Sequence, residues 1–254
     1  PDVIKNHFGT GDNFGITMQY REAAADYGTA GSVRNAADLL NDRFIIISGD
    51  VLTDFDISAA LEFHKQKGAK ATIMLTRVPN PLQFGIVMTD SEGRITRFLE
   101  KPSWGEVFSD TINTGIYILD ADVLDLIPYQ RDFDFSKDLF PLMLKQNMPL
   151  YGYIAEGYWR DIGNLNEYQI ACMDVLDSKV KITISGEEKD KCIVGEGVGI
   201  SPSASFSGMV VLGNHTTVGD HASLRNCVIG NNVTIGAGAR LSGVVLWDNV
   251  IIGE

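Results

Sequence analysis

The chain has 254 residues, enough for one large domain or two modest ones, and for a substantial core. Apolar residues make up 44% and charged residues 21%, which excludes wholesale disorder, and no run approaches the ~18 apolar residues of a membrane span. The net charge of −12, from 21 basic and 33 acidic residues, disfavours a nucleic-acid partner, because an acidic chain repels a phosphate backbone at long range.

Residues 14–20 read as a strand, 30–40 as a helix, and 43–48 as a continuous apolar strand of the kind buried on both faces of a parallel sheet. Asp56 is placed to N-cap a helix whose apolar face is Ile57, Ala60, Leu61 and His64, and Gly68 ends it. Residues 70–77 form the next strand. This βαβα alternation predicts an α/β fold with a doubly wound, Rossmann-like mixed sheet. Residues 84–89 and 94–99 flank Asp90-Ser-Glu-Gly93 as a hairpin. Strands are expected at 111–119 and 150–155, and amphipathic helices at 135–145 and 165–176. Cys172, Cys192 and Cys227 cannot build a disulfide framework, and no Cys-x-x-Cys pair points to structural zinc.

From Cys192 the texture changes to small, polar and glycine residues. Val194, Ile200, Phe206, Leu212, Val218 and Leu224 recur at six-residue spacing. After a one-residue slip Ile229, Ile235 and Leu241 resume the period, and Leu246 and Ile252 follow a further slip. Such a period puts one aliphatic on each face of a three-sided coil, with Gly195, Gly213, Gly219, Gly230 and Gly236 at the corners. Two domains are expected, at 1–178 and 179–254. The chain begins at Pro1 without Met or a signal peptide and stops at Gly253-Glu254 in mid-solenoid, so a fragment is expected.

Four short segments could carry chemistry. Ile45-Ile-Ile-Ser-Gly49-Asp50 delivers a carboxylate at a strand end, where open α/β sheets bind ligands. Trp159-Arg-Asp161-Ile-Gly163 delivers another, ahead of a helix opened by Asn164. Two such carboxylates suit Mg²⁺, which takes one or two from protein and completes its shell with water and substrate phosphate. In Glu100-Lys101-Pro102 the lysine can meet a phosphate and the glutamate sugar hydroxyls. Tyr27-Gly-Thr29-Ala-Gly31 lets a flat base approach backbone at a helix start. Each also has a plainer reading, as turn residue, helix cap or surface ion pair.

The order of these segments is more specific than any one of them. Gly-Thr-Ala-Gly, Gly-Asp, Phe-Gly-Ile-Val, Glu-Lys-Pro, Asn113-Thr-Gly-Ile-Tyr117, Trp-x-Asp-Ile-Gly and then hexapeptides resemble the sugar-1-phosphate nucleotidylyltransferases. Within them the chain is most similar to the mannose-1-phosphate guanylyltransferases, in the bacterial form whose left-handed parallel β-helix can be followed by a phosphohexomutase domain. The resemblance implies that Gly28, Thr29, Ala30 and Gly31 lie against the nucleotide base. It implies that Asp50 and Asp161 bind catalytic Mg²⁺, that Gly85, Glu100 and Asn113 hold the sugar, and that Lys101 holds its phosphate. The implied reaction is in-line attack of a sugar-1-phosphate oxygen on the α-phosphorus of a nucleoside triphosphate, with pyrophosphate leaving. A cytoplasmic enzyme that forms a homo-oligomer, with no membrane or nucleic-acid partner, is the matching expectation.

One departure is large. The family opens with a Gly-Gly-x-Gly-Thr-Arg-Leu-x-Pro loop that cradles the triphosphate, and no stretch here matches it. Phe8-Gly-Thr-Gly-Asp-Asn-Phe-Gly15 is glycine-rich but lacks basic residues, and it reads as a loop. The first strand and phosphate loop are therefore expected to be missing, and the chain alone to be inactive. Two other readings follow: a non-catalytic nucleotide-sugar-binding regulator of the same fold, or a structural or acyl-transfer β-helix protein with an ornamental front domain. Acyl transfer needs a catalytic histidine, and His215 and His221 read instead as solvated coil residues.

Overall fold

A computed structural model describes residues 2–189 and 192–254. In chain order its main elements begin α1 (Asp2–Phe8), α2 (Gly28–Arg34), β1 (Arg43–Ile47), β2 (Val51–Thr53), α3 (Ile57–Lys67), β3 (Ala71–Arg77), β4 (Gly85–Thr89) and β5 (Ile95–Glu100). They continue β6 (Thr111–Asp120), α4 (Phe140–Lys145), β7 (Leu150–Ile154), β8 (Trp159–Asp161) and α5 (Leu165–Leu176), and then the short strands of the repeats. Two compact units form: residues up to Ser48 with Asp56–Ala155, and Gly49–Phe55 with Glu156–Glu254.

The first unit is built on a six-stranded mixed sheet ordered β5-β4-β6-β3-β7, with β1 also paired to β6. Only β3 and β7 pair in parallel among its described strands. β6 lies between β1 and β3, antiparallel to both. Ile73, Leu75, Tyr117, Leu119, Phe135 and Phe140 form the centre of the core. Local signals set α3: the Asp56 carboxylate accepts from the Ala59 N–H, and Gly68 takes φ 56° at the C-cap.

Several expectations are corrected. Residues 14–20 form no strand: Gly11 and Gly15 take φ 88° and 68° around a 3₁₀ turn. The Ile16 and Met18 N–H groups then bond back to the Gly11 and Thr10 carbonyls instead of to a neighbouring strand, and Ile16 stays exposed. The helix expected at 30–40 is α2 plus a separate 3₁₀ turn, Ala37–Leu39. β1 is not buried on both faces; Ile45 and Ile47 are 42% and 49% exposed, and β6 is its only described partner. The helix expected at 135–145 opens with a π turn, Phe135–Leu139, in which the Phe140 N–H bonds the Phe135 carbonyl. Pro141 explains the irregularity: it has no N–H to offer the Lys137 carbonyl.

In the second unit β2 pairs antiparallel with β8, and α5 starts at Asn164, whose side chain accepts from the Glu167 N–H. The repeats stack in parallel as a β-solenoid of about three turns, as expected of left-handed hexapeptide coils. Val194, Leu212, Ile229 and Leu246 form one column and Ile200, Val218, Ile235 and Ile252 another. The slip has a physical origin. Between Ser207 and Val210 the first coil holds two residues opposite the single Asn226 of the next, so later coils run one residue shorter. Asn214, Asn231 and Asp248 form a polar ladder along one corner, each side chain accepting a backbone N–H from the coil before it. Among the described residues no helix is long and apolar enough to cross a membrane.

Candidate active site

Two groups of the candidate residues assemble, one in each unit. In the first unit the antiparallel register sets Gly85 opposite Glu100. A Cβ on Gly85 would lie 2.6 Å from Glu100 Oε2 and 3.5 Å from the Asn113 Cβ, so only glycine leaves room for this carboxylate. Glu100 Oε2 is buried and has no hydrogen-bond partner. Burial pushes the Glu100 carboxyl above its ordinary value; Lys101, Lys137 and the Ser136 hydroxyl oppose that shift, and Asp134 adds to it. Lys101 holds φ 45°, strained for a non-glycine residue, and its N–H bonds the Phe84 carbonyl.

A cavity of about 310 Å³ opens here, lined by Thr29, Glu100, Lys101, Tyr117, Ser136 and Lys137, among others. Asn113 stands beside it but is occupied: its amide donates to Tyr117 Oη and to Ser136 Oγ, both at 3.0 Å, and its Oδ1 accepts from the Gly115 N–H. Burial pushes the Tyr117 hydroxyl up to about 12.

The Gly28–Gly31 turn packs on the 131–134 segment of the same unit. A Cβ on Gly28 would meet the Phe133 carbonyl at 2.8 Å, and one on Gly31 the Arg131 carbonyl at 2.5 Å. The Ala30 and Gly31 N–H groups bond the Phe133 carbonyl, and Ala30 is fully buried. Gly28 and Thr29 line a second, open cavity of about 500 Å³ with Ser32, Asp132, Asp134 and Lys137. Thr29 Oγ1 donates to Asp134 and accepts from the Phe135 N–H, pinning the start of the π turn. Ser136, Tyr117 and Asp134 were not singled out from sequence. An Asp-Phe-Ser run opening an expected helix is a capping signal, and Asp134 does accept from the Ser136 and Lys137 N–H groups.

In the second unit the β2–β8 register sets Val51 opposite Asp161, and the Ile162 N–H bonds the Asp50 carbonyl. Asp50 and Asp161 therefore meet at one edge of this two-stranded sheet. Both carboxylates converge on Gly163: a Cβ there would lie 3.0 Å from Asp161 Oδ1 and 3.6 Å from Asp50 Oδ2. The Gly163 N–H bonds Asp161 Oδ1. No third carboxylate, histidine or cysteine completes a cage among the described residues. That donor set fits Mg²⁺, which keeps open positions for water and phosphate. Behind Asp161, Arg160 bonds Tyr158, Glu167 and the buried Asp174, tying β8 to α5. These interactions, with Lys179, hold the Asp174 carboxyl below its ordinary value against the effect of its burial.

The chain matches the family described as nucleotidyl transferase over residues 1–178, and the GlmU-like C-terminal hexapeptide family over 169–254. It is 32% identical to the mannose-1-phosphate guanylyltransferase of Mycobacterium tuberculosis over 230 residues, covering 90% of this chain and 64% of that protein. It is 33% identical to the UTP–glucose-1-phosphate uridylyltransferase of Synechocystis over 241 residues, covering 86% of this chain and 61% of that protein. The chain thus spans less than two thirds of these relatives' length. A crystal structure described as a glucose-1-phosphate thymidylyltransferase of Bacillus anthracis, in complex with sucrose, matches with a TM-score of 0.62 and 26% identity. That match covers 72% of this chain and 74% of the other.

Proposed function

Because the chain belongs to the nucleotidyl transferase family, we propose that it serves the transfer of a nucleotidyl group from GTP to mannose-1-phosphate, giving GDP-mannose and pyrophosphate. In this reaction an oxygen of the sugar phosphate forms a bond to the α-phosphorus as the bond to the pyrophosphate oxygen breaks. No covalent enzyme intermediate is needed, so the protein's part is positioning and charge neutralisation. The observation that carries the reading is the Glu100 cavity: an unpartnered buried carboxylate oxygen beside a lysine, as a ligand with both hydroxyls and a phosphate requires.

Glu100 would accept from sugar hydroxyls, Lys101 would meet the phosphate, and Gly85 would leave the space for Glu100. Gly28 and Thr29, which line the second cavity, would face the base, with Ala30 and Gly31 supporting them from the packed side of the turn. Asp50 and Asp161 would hold Mg²⁺, which when bound neutralises phosphate charge and polarises the α-phosphorus. The first relatives act, by their names, on different bases and sugars, so guanine and mannose rest on the similarity over Phe98–Tyr117 and on the guanylyltransferase match.

Calorimetric titration of the chain with GDP-mannose and UDP-glucose in Mg²⁺, alongside pyrophosphate release from GTP plus mannose-1-phosphate, tests this. Tighter binding of GDP-mannose is expected. Preference for UDP-glucose would overturn the assignment of base and sugar, and binding of neither would overturn the ligand class.

A further inference from the structure

Arg160 and Asp161 are neighbours on β8, so their side chains leave the strand on opposite faces. One face carries the carboxylate that meets Asp50 at Gly163; the other meets a network of charges on α5. We infer that Arg160 is a positioning residue: by locking β8 onto α5 through Glu167 and Asp174, it sets the spacing of the Asp50 and Asp161 carboxylates and hence how tightly they hold a divalent cation. The inference rests on the two-carboxylate reading of that pair.

The sheet itself is too small to hold two carboxylates in place. β2 and β8 have three residues each, and among the described residues neither pairs with a further strand. An isolated two-stranded ribbon is marginal in water, so its geometry is set by what it packs on. At the end away from the carboxylates, the Tyr158 N–H bonds Asp54 Oδ1 at 2.6 Å and the Lys181 N–H bonds Asp54 Oδ2 at 2.9 Å. At the carboxylate end the cross-strand tie is the Ile162 N–H to the Asp50 carbonyl, and the side-chain anchor beside it is Arg160.

Arg160 uses the full fork of its guanidinium. Nε donates to Tyr158 Oη at 3.0 Å, one terminal nitrogen donates to Glu167 at 2.5 Å, and the other lies 3.2 Å from Asp174 Oδ2. Tyr158 Oη donates to the same Asp174 oxygen at 2.8 Å, and Lys179 donates to Asp174 Oδ1 at 2.7 Å. Asp174 is only 6% exposed, so water cannot readily replace a partner it loses. The helix is fixed in turn to the solenoid of the same unit: Gln169 Nε2 donates to the Gly243 carbonyl at 2.7 Å, and Tyr168 meets Trp247 edge-on at 6.4 Å. Arg160 thus ties β8 to a platform that does not depend on the small sheet.

The test is Mn²⁺ binding to the full chain, read by electron paramagnetic resonance of the free ion, for the parent, R160M, R160K, E167Q, K179M and D161N, and for R160M in the D161N background. Mn²⁺ stands in for Mg²⁺ at oxygen ligands. R160M is expected to weaken Mn²⁺ binding about 10-fold, the scale of a lost outer-shell partner. R160K is expected to recover only part of this, because one ammonium cannot serve all the partners of the fork. E167Q loosens a single arm and leaves Asp174 paired; a smaller loss is expected, and this variant decides the matter if R160M does not fold. K179M weakens the same buried Asp174 without touching β8, so it is expected to lower Tm and leave Mn²⁺ affinity unchanged. R160M is expected to add little once Asp161 is Asn. Three results would overturn the inference: parental Mn²⁺ affinity in both R160M and E167Q, losses in R160M and D161N that simply add, or an Mn²⁺ loss in K179M that matches its fall in Tm as R160M does. If D161N binds Mn²⁺ as the parent does, the two-carboxylate reading falls first and takes this inference with it.

Discussion

The two carboxylate sites differ in the one property that decides what each can hold, their access to water. Glu100 is half-buried, has an unpartnered oxygen, and is pushed toward its neutral form by burial. Asp50 is exposed and Asp161 half-buried on a short two-stranded sheet, and the Gly163 N–H donates to Asp161 Oδ1. A half-buried carboxylate with an unpartnered oxygen suits a neutral hydroxyl donor, because the ligand restores the hydrogen bond that burial removed. A pair of hydrated carboxylates suits a cation that arrives with its own water and leaves positions for phosphate. The same residue class thus suits two chemistries, and the environment separates them.

The contrast breaks most sharply at the hydrated pair. Asp50→Asn and Asp161→Asn each remove half of the donor set, so Mg²⁺-dependent GDP-mannose binding should fall by more than the ~10–100-fold that outer-shell changes cost. Binding without Mg²⁺ should change little. Mg²⁺ titration curves of both variants that overlay the parent would end the two-carboxylate reading. At the buried site Glu100→Gln is expected to weaken mannose-1-phosphate about 10–100-fold, the loss of a hydrogen bond to a charged acceptor. It should also raise Tm at neutral pH. A carboxyl whose folded pKa lies above its unfolded value costs stability as pH rises through that interval, and Gln removes the cost. A Tm at pH 7 lower than the parent's would show that Glu100 is a structural anchor.

Gly28→Ala sharpens the comparison with a smaller effect on the fold alone. The residue sits at φ 65°, and a Cβ would press on the Phe133 carbonyl at 2.8 Å. A loss of about 1–3 kcal/mol is expected from chemical denaturation. An unchanged midpoint would show that the 131–134 segment yields freely.

The parts of the fold that were legible share a trait: the signal and its cause lie close in sequence. Asp56, Gly68 and Asn164 announce helix ends because the groups they satisfy are three or four residues away. The solenoid is legible because each coil repeats one instruction, and even its slip is local, a two-for-one bulge opposite Asn226. What was not legible depends on partners far along the chain. Residues 43–48 carry the apolar run of a central strand, yet which strands flank them is decided by β6, seventy residues later, and Ile45 and Ile47 stay open. Residues 14–20 look extended in composition, but Gly11 and Gly15 turn the backbone on itself first. The site divides the same way. Glu100 and Lys101 stand in one motif, whereas Ser136 reaches Asn113 only because a π turn presents it, and that turn answers to Pro141.

The smallest effect expected separates a buried group that titrates for structure from one that titrates for ligand. His64 is fully buried, with Nδ1 at 2.9 Å from Thr72 Oγ1 and Nε2 at 3.3 Å from Asp120 Oδ1. Burial pulls its pKa below the ordinary 6.5; Asp120 opposes this, and Arg43 and Lys70 reinforce it. A base whose folded pKa is depressed contributes its stability above the unfolded value and loses it as pH falls through 6.5 toward the folded one. Glu100, with a raised pKa, slopes the opposite way, gaining stability as pH falls. Melting curves of the parent and H64N between pH 8 and 5.5 should therefore converge as pH drops, because only the parent takes up a proton when unfolding exposes the imidazole. Mannose-1-phosphate binding should be the same in both, since His64 lines neither cavity described here. A gap between the curves that stays constant with pH would mean that His64 contributes packing alone, and would leave Glu100 as the only one of the two whose charge state the fold has tuned.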